Sequence, residues 1–235
     1  QSELLKLIAS TGKPVAVVLL NGRPLVLEEE NRDADAILEA WYPGTMGAEA
    51  VADIIFGQYN PSGKLTMTFP RNVGQIPIFY YEKNTGRPIY LPSDKYKSKY
   101  LDSPNDPLYP FGYGLSYTQF RYSDLTLSSS KMKKGGTLEA RVTVTNTGKR
   151  AGEETVQLYI RDMIGSVTRP VKRLKGCRKV ALAPGESAKV TFVIDDGMLS
   201  FWRHDMTFGS EEGDFKVMVG GSSSDLLQAS FSLEP

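Results

Sequence analysis

Residues 138–145 read Leu138-Glu139-Ala140-Arg141-Val142-Thr143-Val144-Thr145, and residues 156–161 read Val156-Gln157-Leu158-Tyr159-Ile160-Arg161. Apolar and polar side chains alternate through both stretches. Because successive side chains of a β-strand point to opposite faces, this is the pattern of strands with one face in a core. Val190, Phe192, Ile194 repeat it, as do Phe215, Val217, Val219 and then Leu227, Ala229, Phe231, Leu233. Asn146-Thr147-Gly148, Pro184-Gly185-Glu186 and Gly220-Gly221-Ser222 supply turns between them. About seven such strands within residues 120–235 fit a two-sheet sandwich, immunoglobulin-like or fibronectin type III-like. The chain has one Cys, so the paired cysteines of an antibody-type domain are absent and the fibronectin-like form is expected.

Upstream the pattern changes period. Leu4, Leu5, Leu7 and Ile8 fall on one helical face, which Gly12-Lys13-Pro14 ends. Val15-Ala16-Val17-Val18-Leu19-Leu20 is a continuous apolar run of the kind found in strands covered on both faces, broken by Asn21-Gly22-Arg23-Pro24. A second strand is expected over residues 36–41. A helix ending at Gly57 follows, then a turn at Asn60-Pro61-Ser62-Gly63 and a third strand over residues 64–69. Strand, helix and strand in that order argue for part of a parallel sheet. Three strands do not complete a doubly wound domain, so further sheet is expected before Gln1, itself read as a processing or cloning boundary.

Between these regions the chain is aromatic. Of 24 Phe, Tyr and Trp residues, 12 lie in the 44 residues from Phe79 to Tyr122, and the prolines at 77, 88, 92, 104, 107 and 110 prevent long regular elements. A disordered linker would be poor in aromatics, so an ordered connector is expected. The fold class is therefore α/β followed by all-β: a partial α/β sandwich over residues 1–70, an ordered aromatic connector over 71–119, and a fibronectin type III-like β-sandwich over 120–235.

The 235 residues carry 28 Lys and Arg against 27 Asp and Glu, so charge gives no reason to expect nucleic acid or an anionic membrane as partner. One His and one Cys cannot supply a four-ligand zinc site, and a histidine-dependent triad would hang on His204 alone, which is expected in a loop. Cys177 is expected to fill a small core site. Glycine spacing gives no phosphate-binding loop. No cofactor or metal is expected. The acidic runs Glu28-Glu29-Glu30, Glu153-Glu154, Asp195-Asp196 and Glu211-Glu212 read as solvated surface charge, and none defends a catalytic dyad. Ligands of open α/β sheets gather outside the carboxyl ends of the strands. The two turns there offer Asn21 and Arg23 as donors to hydroxyls, and Trp41 and Tyr42 as aromatic faces. These four are the candidate substrate-rim residues, set against the plainer reading that Arg23 pairs a carboxylate and Trp41 is core.

The order of several strings resembles glycoside hydrolase family 3. Leu20-Asn21-Gly22-Arg23-Pro24, Ala34 through Trp41, Tyr59-Asn60-Pro61-Ser62-Gly63-Lys64, Gly74-Gln75-Ile76-Pro77 and Leu108 through Tyr117 resemble its C-terminal sandwich domain. Gln157-Leu158-Tyr159, Arg169-Pro170, Leu174-Lys175-Gly176 and Ala183-Pro184-Gly185-Glu186 resemble its fibronectin-like appendage. The resemblance implies a retaining exo-acting β-glucosidase, periplasmic or secreted. Its nucleophile is an Asp on an N-terminal (β/α)8 barrel, and its acid/base is a Glu in a loop shortly before the segment that begins here. Neither motif occurs in these residues, so the chain is expected to support catalysis without performing it. Its partners would be the β-glucoside substrate, the missing barrel portion and, through exposed sheet edges, a possible second copy of itself. The competing expectation is a non-catalytic carbohydrate-binding or adhesion module, motivated by Tyr80, Tyr81, Tyr90, Tyr96, Tyr100 and Tyr109.

Overall fold

The computed structural model describes residues 1–88 and 96–235. Helix α1 (Ser2–Ala9) leads into strand β1 (Ala16–Leu19), helix α2 (Glu28–Asp33), strand β2 (Ala36–Glu39) and helix α3 (Gly47–Ile55). β1 and β2 pair in parallel, Ala16 with Ala36 through Leu19 with Glu39. The helix at α1 follows the expected period, yet only Leu5 of its apolar side chains is buried, leaving Leu4, Leu7 and Ile8 exposed. Gly57 ends α3 at φ +74°, in the left-handed region that favours glycine.

Two details differ from expectation. α2 forms where the sequence suggests only surface charge: its acidic first turn suits a helix N-terminus, so the run Glu28-Glu29-Glu30 has a structural use. Residues 64–69 form no third parallel strand. They meet the connector at two points instead: Leu65 N–H donates to Tyr113 O (2.8 Å) and Gly112 N–H to Leu65 O (2.7 Å), and past a bend at residues 66–67 Phe69 N–H donates to Tyr109 O (2.9 Å). Alternation over so short a stretch decides neither whether it becomes a strand nor which segment it bonds to.

The second half is a β-sandwich. Strands β3 (Phe120–Leu127), β4 (Lys131–Lys133), β5 (Thr137–Asn146), β6 (Gly152–Asp162), β7 (Arg173–Leu182) and β8 (Ser187–Asp195) are followed by helix α4 (Asp196–Leu199). A ribbon of β9 (Phe201–Trp202) and β10 (Phe208–Gly209) precedes β11 (Gly213–Gly220) and β12 (Leu226–Glu234). One sheet has the order β4-β12-β11-β6-β7 and the other β3-β5-β8. The alternating residues do what their period demands. Leu138, Val142, Val144, Val156, Leu158, Ile194, Phe215 and Val217 meet in one core between the sheets. His204 lies in the turn of the β9–β10 ribbon and is exposed. Cys177 is exposed rather than core: it sits opposite Gln157 on the edge strand β7.

Strand β6 is buried on both faces, and the aromatic connector is the reason. Gln157 (3% exposed) and Tyr159 (0%) point away from the core and would face water without it. Gln157 donates to Gly112 O (3.0 Å) and Gly221 O (2.7 Å), and accepts from the Tyr159 hydroxyl. Tyr80 stacks on Phe111 with ring centroids 4.2 Å apart, meets Tyr159 edge-on, and accepts from Leu174 N–H. Tyr109 stacks on Tyr113 and donates to Asn31. The tyrosines at 80 and 109 thus pack the connector against its neighbours; Tyr90, and Pro92 with it, lie outside the described residues.

Glu154 also departs from expectation. It shares the face of β6 that carries Val156 and is 4% exposed. Its carboxylate accepts from the Tyr122 hydroxyl (2.7 Å) and pairs with Lys64 Nζ at 3.1 Å. Lys64 also donates to Gly114 O (2.9 Å), so one lysine ties the first half of the chain, the connector and the sandwich together. Burial pushes the Tyr122 hydroxyl far above its ordinary range, with the Glu154 carboxylate adding to the effect.

Candidate functional site

The parallel register is what assembles the site. Because Leu19 lies beside Glu39 and Ala40 N–H donates to Leu19 O (3.0 Å), the turns that follow β1 and β2 leave from one sheet edge. Asn21 and Arg23 come from the first turn, Trp41 and Tyr42 from the second. Tyr42 lies over Gly22, where a Cβ would sit 2.8 Å from the Tyr42 ring, so the two turns touch. This contact favours glycine at position 22 on space alone.

The four candidates divide into two kinds. Arg23 and Tyr42 are exposed, Tyr42 at 79%. No ion pair holds Arg23 among the described residues, so its five N–H donors are available to a ligand. Asn21 and Trp41 are half-buried and structural in their contacts. The Asn21 amide donates to Arg23 O at 2.6 Å and so shapes the turn that presents the guanidinium. Trp41 packs its ring 5.9 Å from that of the buried Phe69, which in turn meets Tyr109. Its backbone is at φ +49°, an uncommon conformation for a bulky residue. The Trp41 N–H donates to Glu39 Oε1 (2.9 Å), which helps hold that turn.

Glu39 is the member that sequence reading misses. It ends β2, and burial raises its pKa; the Trp41 N–H and the Asn21 side chain work the other way. Two oxygens here, Asn21 Oδ1 and Glu39 Oε2, are buried and accept no hydrogen bond. The available signal was an acidic residue closing the apolar run Ala36-Ile37-Leu38. Behind the site, Arg71 ties the connector to α2, donating to Asp106 O (3.1 Å) and pairing with Glu28 at 3.4 Å. Gln75, 2% exposed, accepts from Arg71 N–H and donates to Pro104 O.

The edge therefore presents one free guanidinium and one exposed phenol ring above a braced aromatic layer. That combination suits a polyhydroxylated ring, whose hydroxyls accept from Arg23 and whose C–H face lies on an aromatic side chain. Among the described residues no group of three or more His, Cys, Asp or Glu could hold a metal ion. No helix of the described residues is long and apolar enough to cross a membrane.

Residues 1–117 match the glycosyl hydrolase family 3 C-terminal domain, and residues 154–223 match the fibronectin type III-like domain. A periplasmic beta-glucosidase of Salmonella typhimurium is 53% identical over 235 residues, covering 99% of this chain and 31% of that protein. A putative beta-xylosidase of Formosa agariphila is 47% identical, covering 100% of this chain and 30% of that protein. Among solved structures, a beta-glucosidase from Listeria innocua in complex with glucose superposes with a TM-score of 0.94 at 42% identity, covering 100% of this chain and 33% of that one. The chain thus spans about a third of the length of the relatives it matches. The chain belongs to glycosyl hydrolase family 3, of which it carries the C-terminal domain sequence followed by a fibronectin type III-like domain.

Proposed function

We propose that this chain is the supporting C-terminal part of a retaining exo-β-glucosidase, and that its strand-end turns form part of the wall around a terminal β-D-glucosyl residue. The observation that carries the reading is the parallel pairing of β1 with β2, which delivers Arg23 and Tyr42 to one edge. Retaining hydrolysis needs two carboxylates about 5–5.5 Å apart, one as nucleophile and one as acid then base. The family resemblance assigns both to parts of the enzyme outside these residues. Without the nucleophile no covalent glycosyl intermediate forms, so the chain alone is inactive on this reading.

The proposed division of labour follows the domain expectation. Residues 1–70 buttress the acid/base loop, residues 71–119 brace the edge from behind, and residues 120–235 carry the assembly. The exposed Leu4, Leu7 and Ile8 of α1 give the remainder of the enzyme an apolar face to cover. Relatives named as beta-glucosidases support a glucoside, and the Salmonella relative supports a periplasmic location.

In the full-length enzyme, R23Q and Y42A are expected to raise KM for an aryl β-glucoside with a smaller change in kcat, because both side chains act on the bound sugar rather than on bond cleavage. Unchanged kinetics in both variants would remove these turns from the substrate wall.

A further inference from the structure

The pairing of β6 with β7 contains one irregularity. Leu158 lies opposite Gly176 and Tyr159 opposite Leu174, so Lys175 is skipped. A bulge of this kind leaves one residue unpaired and re-aims its side chain. Lys175 lines a narrow cleft at the end of the sandwich opposite to Lys64, with the core residues Ile160, Leu199 and Phe215 as its apolar wall. The charged members of the cleft are Asp162, Arg169 and Arg173.

The charges there do not balance. Arg169 and Asp162 form an ion pair at 3.4 Å, with side chains 13% and 8% exposed. Arg169 is further held over the Phe201 ring at 3.7 Å. Two cations, Arg173 and Lys175, are then left against no carboxylate within the cleft. Asp195 at the end of β8 lies beyond it, and Glu211, which neighbours Arg169, is drawn toward Arg203 at 3.8 Å. An ammonium in this setting is disfavoured by its apolar wall and by two guanidiniums. An anion in the same place would be favoured by both of them.

We propose that Lys175 is a site of reversible carboxylation, its uncharged ε-amine taking up carbon dioxide as a carbamate held between Arg173 and Arg169. The nitrogen lone pair attacks the carbon of carbon dioxide and an N–C bond forms. One C=O π pair moves onto oxygen, and the nitrogen releases one proton to solvent. Counted from the ammonium, two protons leave to solvent, one in forming the amine and one as the N–C bond forms, so the side chain goes from cation to anion and the cleft becomes balanced. Burial, with Arg173 and Arg169, lowers the amine to about 8, so the reactive form is populated near neutral pH.

The test is equilibration of the intact chain with 13C-bicarbonate at pH 8, trapping of carbamates with triethyloxonium, and peptide mass spectrometry. An amine titrating near 8 is unprotonated roughly a hundredfold more often at this pH than an ordinary lysine, and label at Lys175 at least about tenfold above the other lysine peptides is expected. The label at Lys175 must vanish in K175R while the background label on the other lysine peptides persists. In R173Q, which removes an exposed guanidinium, the label should fall several-fold with the circular dichroism spectrum unchanged. Label spread evenly over the lysines, or undiminished in R173Q, would overturn the proposal.

Discussion

Lys64 offers the sharpest test of how the two halves of the chain are joined. Its ammonium lies 3.1 Å from Glu154 Oε2, with the two side chains only 14% and 6% exposed. At that separation and an effective dielectric constant of about 20, the Coulomb attraction is about 5 kcal/mol, most of it offset by the desolvation of both ions. Replacement of Lys64 by Met removes the attraction and leaves the desolvation of Glu154 uncompensated. Breaking a buried pair in this way costs about 3–5 kcal/mol, which lowers the melting temperature of a chain of this size by on the order of 10 °C. The K64M/E154Q pair should recover a large part of the loss. The amide that E154Q introduces needs no counter-charge, and its oxygen still accepts from the Tyr122 hydroxyl. Thermal unfolding followed by circular dichroism, for wild type, both single variants and the double variant, measures the coupling. If K64M lies within about 1 kcal/mol of wild type and the two changes add, Lys64 and Glu154 behave as solvated surface charges and the reasoning fails.

Gly112 is at φ +79°, and a Cβ there would lie 2.1 Å from the Gln157 amide oxygen, so Gly112→Ala should cost about 2–4 kcal/mol, read from the urea midpoint. Glu39→Gln should stabilise the chain at pH 7. A carboxyl whose folded pKa is raised costs stability as pH rises above its ordinary value and in full above the folded pKa, so the advantage shrinks as pH falls from the folded pKa through the ordinary value of 4.5; melting temperature against pH reads it. At Trp41, loss of the ring from Phe69 destabilises either small variant. Because φ is +49°, W41G should nevertheless be about 0.5–1 kcal/mol more stable than W41A, by the same thermal assay.

The sandwich was legible because its information is local. Period-2 alternation in β5, β6, β8, β11 and β12 states which side chains enter the core, and Leu138, Val142 and Val217 are buried as that period requires. The parallel pair was legible through Val17-Val18-Leu19 and Ile37-Leu38, which form β1 and β2. What alternation cannot state is the partner. Residues 64–69 form no strand and bond to the connector instead, a choice made by chain segments some 45 residues away. Glu154 and Cys177 were misplaced for a related reason. Burial of Glu154 is made possible by Lys64, and exposure of Cys177 by the edge position of its strand, and neither is written next to the residue concerned. At the candidate site the turns and their four residues were found from strand ends. The role of Glu39 was hidden, since its buried position depends on the neighbouring turn rather than on its own strand.

The central claim is that this chain supports glycoside hydrolysis without carrying its catalytic carboxylates. Release of nitrophenol from an aryl β-glucoside measures this directly, with the purified chain alone and after addition of the N-terminal barrel portion of the enzyme. The account predicts no turnover by the chain alone and recovery of activity when the two are combined. Turnover by the chain alone, surviving rigorous removal of host glucosidase and abolished by substitution of one of its own carboxylates, would contradict it.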